Sequence, residues 1–454
     1  MTTTRTAATL LFLLPVLFIA QHAAAQNTRG ALLEPADGRI YHGVQHMTFA
    51  TGPDPIAGYL SALNDNTIQP AVQGLFFSIP GTRGPALGLR QIASFFKSAD
   101  SIGFIPELSL FFVSDVAVDS VIAVSDQYDW IIDSVITMSK AYGRAMLLRI
   151  GGEFNGAGPG WNGGGYHPYL YVTMFRKIVD RFAARGLRDS IATIWCYYPS
   201  AANDFDSVDT RGARWYPGDA YVDWFGLDLF DVQDFDPAAP EYQRGVITRK
   251  GKSERFLAMA RSKGRPVYMS ETSAKGINIS ADPTDSQNDW NGWFVKFWQF
   301  MTDHREIKGY SYIDALWPDR AYPGWGDARI ENSPVLSALY REEMHKPRYI
   351  HLPSGTTGSD GTPVVPAHTL VLEQNTPNPF RDVTTVRFSI AAGTRAEFAV
   401  HDMLGRRLAL PVQKYFEEGT HSVRLHAADL PSGLYVVSLR TDVASVQRTM
   451  LLSR

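Results

Sequence analysis

Two glutamates stand out by their setting. Glu153 follows an apolar run in Arg149-Ile-Gly-Gly-Glu153-Phe-Asn155-Gly, and Glu271 closes another in Pro266-Val-Tyr-Met-Ser-Glu271-Thr. A lone Glu at the end of such a run is ordinarily a solvated loop residue, but two in matching positions suggest paired work. The chemistry that needs such a pair is cleavage of a glycosidic bond. One carboxyl protonates the poor leaving oxygen, while the other meets the oxocarbenium charge on the opposite face of the ring. A pair about 5–5.5 Å apart gives a covalent intermediate and retention of configuration. Their surroundings must pull their pKa values apart, so that one is protonated while the other is ionised. Arg149 lies four residues before Glu153 and so on the same side of a strand. A guanidinium there favours a neighbouring ionised carboxylate. Pairing with Glu107, in Ile105-Pro-Glu107-Leu, is an equal and compatible reading.

Positioning two such residues at one rim requires a repeating scaffold. Eight strand-like apolar runs occur, at 41–48, 72–79, 104–112, 146–152, 191–198, 221–230, 266–272 and 308–313. Most are continuous rather than alternating, as strands covered on both faces should be. Helical patterns lie between them, clearest at 128–142 and 169–185, with aromatic residues at helical spacing over 290–303. Eight strand–helix units predict an α/β fold, a (β/α)8 TIM barrel. No Gly-x-Gly-x-x-Gly follows the first run, which weakens a dinucleotide fold. In such a barrel the chemistry sits where strands end, which is where Glu153 and Glu271 fall, on the fourth and seventh strands.

The segment from Arg144 to Glu271 resembles glycoside hydrolase family 26, within the clan of retaining glycosidases built on (β/α)8 barrels. The resemblance rests on the two Glu segments, on Asn155-Gly156, and on Trp215-Tyr-Pro-Gly-Asp219 leading into Tyr221-Val-Asp-Trp224-Phe-Gly-Leu-Asp228. It implies Glu153 as general acid/base and Glu271 as nucleophile, with β-mannan the first guess for a substrate. One departure is Gly152, where the family usually has His and the wider clan Asn. Its loss removes a donor, which fits either altered sugar contacts or an inactive protein. Another is Phe230-Asp231 at the end of the sixth strand, where a hydroxyl-bearing Tyr would be a natural partner for the nucleophile.

Sugars present apolar faces that stack on aromatic rings, with polar groups fixing their hydroxyls. Candidate substrate contacts are therefore Trp161, Trp195, Tyr198, Trp317 and Trp325, together with Arg149, Asn155 and Asp228. Trp195 and Trp317 lie on or just after the fifth and eighth strands. Asp228 either hydrogen-bonds a hydroxyl or anchors the rim. Trp161-Asn-Gly-Gly-Gly165 forms a loop suited to shaping a cleft.

The ends of the chain carry other information. Arg5, the apolar run 10–20 and Ala23-Ala24-Ala25 read as an export signal over residues 1–25, too short to span a bilayer. The catalytic domain is expected at 26–352, followed by a Gly/Ser/Thr/Pro-rich linker at 353–370. Short alternating segments at 385–390, 397–401, 421–425 and 435–440 predict a small all-β sandwich over 371–454. That region resembles the type IX secretion sorting domain. The matching motifs are Leu372-Glu-Gln-Asn375-Thr-Pro377-Asn-Pro379-Phe380, Asp402-Met-Leu-Gly405-Arg406, Leu430-Pro-Ser-Gly433-Leu-Tyr435 and terminal Met450-Leu-Leu-Ser-Arg, with His401 where an aromatic residue is usual. The resemblance implies passage through the periplasm and across an outer membrane by the type IX machinery, to the cell surface or beyond.

With 43 Lys plus Arg against 46 Asp plus Glu, the chain lacks the basic excess of a general nucleic-acid binder. Its single cysteine, Cys196, excludes intrachain disulfides and cysteine metal clusters. His42 and His46 are too far apart along a strand to chelate one metal, and no His-Glu-x-x-His, Gly-x-Ser-x-Gly or P-loop occurs. The reading is a secreted, retaining endo-glycosidase of a β-linked polysaccharide that needs no cofactor. The rivals are a non-catalytic glycan-binding protein using the same cleft and a glycosidase of another family in the clan.

Overall fold

The computed structural model describes residues 30–46, 56–79, 85–111, 118–156, 168–201, 203–317, 322–353, 370–372, 374–390, 394–402, 407–408, 412–417, 419–427, 430–441 and 445–453. The export signal, the Trp161 loop, nearly all of the 353–370 linker and Met403–Arg406 of the sorting motif lie outside the described residues.

Eight parallel strands form the frame: β1 (Ile40–His46), β2 (Val72–Ser78), β3 (Ile105–Phe111), β4 (Met146–Glu153), β5 (Ile191–Tyr197), β6 (Trp224–Leu227), β7 (Val267–Thr272) and β8 (Ile307–Tyr312). Each pairs in parallel with its neighbours, and β8 pairs back onto β1 through Tyr41–Gly309 to Val44–Tyr312, so the sheet closes. Among the described residues helices follow every strand but β5: α1 (Ala57–Leu63), α2 (Pro85–Ile102), α3 (Val118–Val124), α4 (Asp129–Tyr142), α5 (Pro168–Ala184), α6 (Arg249–Ser262), α7 (Pro283–Asp289), α8 (Val295–Asp303) and α9 (Pro334–Met344). The fold is a (β/α)8 barrel.

The strands are apolar throughout because both faces are covered. Every residue of β4, β5, β6, β7 and β8 is buried. One side chain in two points into the barrel. Val72, Leu147, Ala192, Ile194, Cys196, Trp224 and Tyr268 pack together as its inner cluster. The alternate residues meet the helices. The sixth strand is shorter than the apolar run 221–230 predicts, since Asp223 caps its start by bonding Thr193 and Arg188. The aromatic run 290–303 is one turn of π-helix over Trp290–Phe294 that continues into α8.

Two local irregularities decide where side chains point. Between Arg149 and Glu153, β4 advances four residues while β5 advances only two, from Ile194 to Cys196. Gly151 and Gly152 supply the excess, with φ of 81° and 56°, a region where residues carrying a Cβ are strained. Between Met269 and Thr272, β7 advances three residues while β8 advances two, from Tyr310 to Tyr312. Tyr268 faces inward, so an unbroken alternation would turn Glu271 outward to the helices. The extra residue re-aims it into the barrel.

Residues 370–453 build a separate all-β core. One sheet pairs β9 (Leu370–Leu372), β10 (Val383–Ile390) and β13 (Gly419–His426). The other pairs β12 (Val412–Phe416), β11 (Thr394–Asp402), β14 (Gly433–Thr441) and β15 (Ser445–Leu452). Val386, Phe388 and Ile390 of the first sheet share a cluster with Phe398, Val437 and Leu439 of the second, which makes a sandwich. Asn375 of the Asn-Thr-Pro motif is buried and donates to Pro377 O and Thr384 Oγ1, at 2.9 Å each.

Candidate active site

The centre of the site is Arg149, wholly buried on the inner face of β4. Its Nη1 donates to Glu271 Oε1 on β7, and its Nη2 donates to Asp228 Oδ2, just beyond β6, at 2.5 Å. Asp228 uses its other oxygen to accept the backbone N–H of Glu271 at 2.9 Å. Arg149 and Asp228 therefore fix the Glu271 carboxyl and its backbone together. A buried charge of this kind persists only when paired.

A second carboxyl supports the first group from below. Glu107 on β3 accepts from Gln45 Nε2 at 2.7 Å and from Ser109 Oγ at 3.0 Å. Gln45 also donates to Ser270 O at 3.0 Å, linking β1, β3 and β7. Its amide lies 1.8 Å from where a Cβ on Gly74 would stand, so a side chain at position 74 would expel it. Burial pushes Glu107 up to about 7, against the opposing charge of Arg149. Burial also pushes Asp228 up; the Arg149 charge opposes this, and the Cys196 thiol donates to it. Among the described residues Arg149 is thus the one cation within this cluster of acids, and Glu107 is not its hydrogen-bond partner.

Glu153 ends β4 opposite Cys196 and is nearly fully buried. Its charge raises the phenol of Tyr198, after burial, and it acts with Glu271 on Tyr322. Both carboxylates therefore face one region at the same end of the barrel. Beside Glu153, the ring of Phe111 at the end of β3 fills the space over Gly152. A Cβ there would meet Phe111 Cε1 at 2.6 Å. The same ring lies 5.2 Å from the Arg149 guanidinium.

Several expected sugar contacts are corrected. Arg149 and Asp228 are inaccessible and committed to the ion-pair cluster. Asn155 is buried, its amide donating to Tyr198 O at 2.7 Å and Asn203 O at 2.8 Å and accepting from Tyr198 N. It shapes the β5 end rather than reaching a ligand. Trp195 faces outward on β5, stacked on Phe154 with centroids 4.4 Å apart and against Phe256 of α6. Strand alternation places it behind the sheet. Trp161 lies outside the described residues. Trp317, Trp325 and Tyr198 are at the rim: Trp317 packs on Trp325 at 4.5 Å, and Phe230 packs on Trp325 at 4.9 Å and on Tyr198 at 5.7 Å. Trp325 and Tyr198 are partly exposed, and Lys275 Nζ sits 4.9 Å over the Trp325 ring. His42 and His46 have separate partners, His351 and Gln73 respectively. Among the described residues no three His, Cys, Asp or Glu are grouped to hold a metal ion.

The supporting residues Gln45, Ser109 and Phe111 are absent from a reading that searches for acids and tryptophans. Their positions on the inner face or at the ends of β1 and β3 were the available signal. Tyr322 could have been found in the aromatic spacing Trp317-x4-Tyr322-x2-Trp325.

Residues 121–305 match the family model described as glycosyl hydrolase family 26. Over that stretch the chain is similar to glycosyl hydrolase family 26. Its match includes both Glu153 and Glu271, and residues 376–453 match the secretion system C-terminal sorting domain. The chain is similar to the β-1,3-xylanase TXYA of a Vibrio species, 30% identical over 250 residues, covering 49% of this chain and 48% of that protein. It is also similar to a β-1,3-xylanase of an Alcaligenes species, 28% identical over 249 residues, covering 50% and 48%. The chain thus spans about half the length of these xylanases. Among solved structures, it is similar to an endo-β-1,4-mannanase of Cellulomonas fimi, at 17% identity and a TM-score of 0.46, covering 92% of this chain and 95% of that one. No helix among the described residues is long and apolar enough to cross a membrane.

Proposed function

We propose that the barrel is an exported, retaining endo-glycosidase that cleaves a β-linked polysaccharide by double displacement. The observation that carries this reading is the pair of buried carboxyls, Glu153 and Glu271, ending β4 and β7 of a closed barrel and acting on one phenol. The family 26 match over both residues supports it. The tail match supports export, with residues 26–352 as the enzyme, 353–370 as linker and 371–454 as the sorting domain.

In the first step Glu271 attacks the anomeric carbon. Arg149 engages Oε1, so Oε2 is the oxygen offered. As that bond forms, the glycosidic bond breaks and Glu153 gives its proton to the departing oxygen. In the second step Glu153 takes a proton from water, the hydroxide oxygen bonds the anomeric carbon, and the ester to Glu271 breaks. Two inversions return the starting configuration. Because the two relatives matched by sequence are both β-1,3-xylanases, β-1,3-xylan is the first substrate to test, ahead of β-mannan.

A second reading, glycan binding without turnover, is favoured by one feature: an apolar ring fills the space over Gly152, where a donor beside the acid/base would stand. Incubating the full chain with β-1,3-xylan, β-1,4-xylan, β-1,4-mannan and β-1,3-glucan, and measuring new reducing ends, separates the two. Ends released by the wild type and lost in Glu271→Ala support the hydrolase. Retention on a glycan column with no new ends supports the rival.

A further inference from the structure

We infer that Gln45 is a positioning residue for the nucleophile, acting through the Ser270 carbonyl, the half of the Ser270–Glu271 peptide that Asp228 does not hold. The inference rests on the proposed hydrolase reading and adds a residue to it.

The extra residue that turns Glu271 inward also breaks the strand ladder around it. β7 pairs with β8 at Met269 and next at Thr272, and with β6 at Tyr268 and next through Thr272 to Leu229. Among the described residues, Ser270 and Glu271 therefore have no register partner on either side. Buried backbone groups that leave a ladder need other partners. The peptide joining these two residues finds them in side chains. Its N–H, on Glu271, donates to Asp228 Oδ1 at 2.9 Å, and its carbonyl, on Ser270, accepts from Gln45 Nε2 at 3.0 Å. A peptide unit is a rigid plane, so holding it at both ends stops it from turning. The Glu271 side chain starts from that plane, and Arg149 then holds its Oε1. Backbone and carboxyl are thus fixed by separate groups.

The amide is itself held by a row across three strands. Gln45 of β1 lies in register with Gly74 of β2, and Gly74 with Glu107 of β3. Because Gly74 has no side chain, Gln45 and Glu107 meet over it, with Gln45 Nε2 donating to Glu107 Oε2 at 2.7 Å. A Cβ on Gly74 would stand 1.8 Å from Gln45 Oε1. Ser109 Oγ donates to the other Glu107 oxygen at 3.0 Å. Gln45 is buried, and its two amide protons have two acceptors, Glu107 and Ser270. None is left for a sugar. Its influence on catalysis runs through Ser270 alone.

Two substitutions on different strands test this. Gln45→Met keeps an unbranched side chain of similar length and removes both donors. Gly74→Ala keeps every polar group and displaces the amide; Gly74 is not at positive φ, so the backbone accepts the alanine. Both should be assayed beside the wild type and Glu271→Ala, on whichever polysaccharide of the panel the wild type cleaves and on a dinitrophenyl glycoside of the same sugar. The expected result for each is a kcat lower by about ten- to a hundredfold, with KM changed by less than about threefold. The dinitrophenolate burst should slow by the same factor, because a misdirected nucleophile attacks slowly whatever the leaving group. A kcat for Gln45→Met within about twofold of wild type overturns the inference. So does a rise in KM alone, which marks a sugar contact, or a loss confined to the polysaccharide, which marks the acid/base side. If circular dichroism shows Gln45→Met unfolded, Gly74→Ala is read by the same criteria; if neither folds, Gln45 supports the barrel as a whole and the inference falls. If Glu271→Ala is inactive while Gln45→Met is unimpaired, only this inference falls. A wild type that cleaves nothing, or a fully active Glu271→Ala, sinks the hydrolase reading and this one with it.

Discussion

Arg149 on β4 donates through Nη1 to Glu271 on β7, joining two residues 122 positions apart across the inside of the barrel. The same guanidinium reaches Asp228 with Nη2, so one fork orients two acids. Arg149→Met would strand both carboxylates without a counter-charge, at a cost of about 3–5 kcal/mol. Arg149→Lys keeps the charge but cannot span both partners with one point donor. Urea unfolding should therefore rank wild type above Arg149→Lys and Arg149→Met lowest. Arg149→Lys should also lose kcat, because Glu271 is no longer held. If Arg149→Met unfolds at the same urea concentration as wild type, the guanidinium is not what keeps these acids buried.

How much of this was legible in the sequence can be judged at particular residues. The strands were readable because parallel strands covered on both faces are apolar along their whole length, as at 146–152 and 191–197. The strand-end positions of Glu153 and Glu271 were readable because each closes such a run. Trp195 was misread as a sugar contact because continuous burial hides which face a residue takes. Only the inner cluster of Ala192, Ile194 and Cys196 shows that Trp195 faces the helices. Glu271 posed the converse difficulty. Counting by twos from Tyr268 turns it outward, and the extra residue in β7 that brings it inward leaves no mark in composition. The Gly151-Gly152 bulge did leave a mark, because two successive positive φ angles select glycine.

The two carboxyls should be separable by leaving group. Protonation matters when the departing group is a sugar hydroxyl and little when it is an acidic phenol. Glu153→Gln should lose about 10²–10⁴ in kcat on the polysaccharide. On a dinitrophenyl glycoside of the same sugar it should still release phenol, as a burst, and then stall without a base to activate water. Glu271→Ala should be inactive on both substrates. Stopped-flow detection of dinitrophenolate checks this, and a burst from Glu271→Ala but not from Glu153→Gln would reverse the assigned roles.

Gly152 and Phe111 should behave as a coupled pair. A β-carbon at Gly152 would sit 2.6 Å from Phe111 Cε1, at a backbone φ of 56°. Gly152→His therefore meets both a filled space and a strained conformation, the latter alone worth about 1–3 kcal/mol. Phe111→Ala opens the space but loses the packing over Arg149. The double variant should be more stable than the sum of the two losses, by about 1–2 kcal/mol in a double-mutant cycle. Strict additivity in the cycle would mean that Phe111 is not what excludes a side chain from position 152.

Glu107 makes stability depend on pH. Burial raises its folded pKa from 4.5 to about 7, so the folded protein binds a proton that the unfolded chain releases. The sign follows from linkage. Its contribution is fully present below about 4.5, where both states are protonated, and is lost as pH rises towards 7. Across that window the slope is about −1.4 kcal/mol per pH unit from this one group. Glu107→Gln holds a neutral side chain of the same length between Gln45 and Ser109 and should remove that slope. Asp228 is raised in the same direction by burial, so a part of the wild-type dependence should survive in the variant. Urea midpoints measured at half-unit steps from pH 5 to 8 would show it, and parallel curves for the two proteins would mean that Glu107 enters the folded state already ionised.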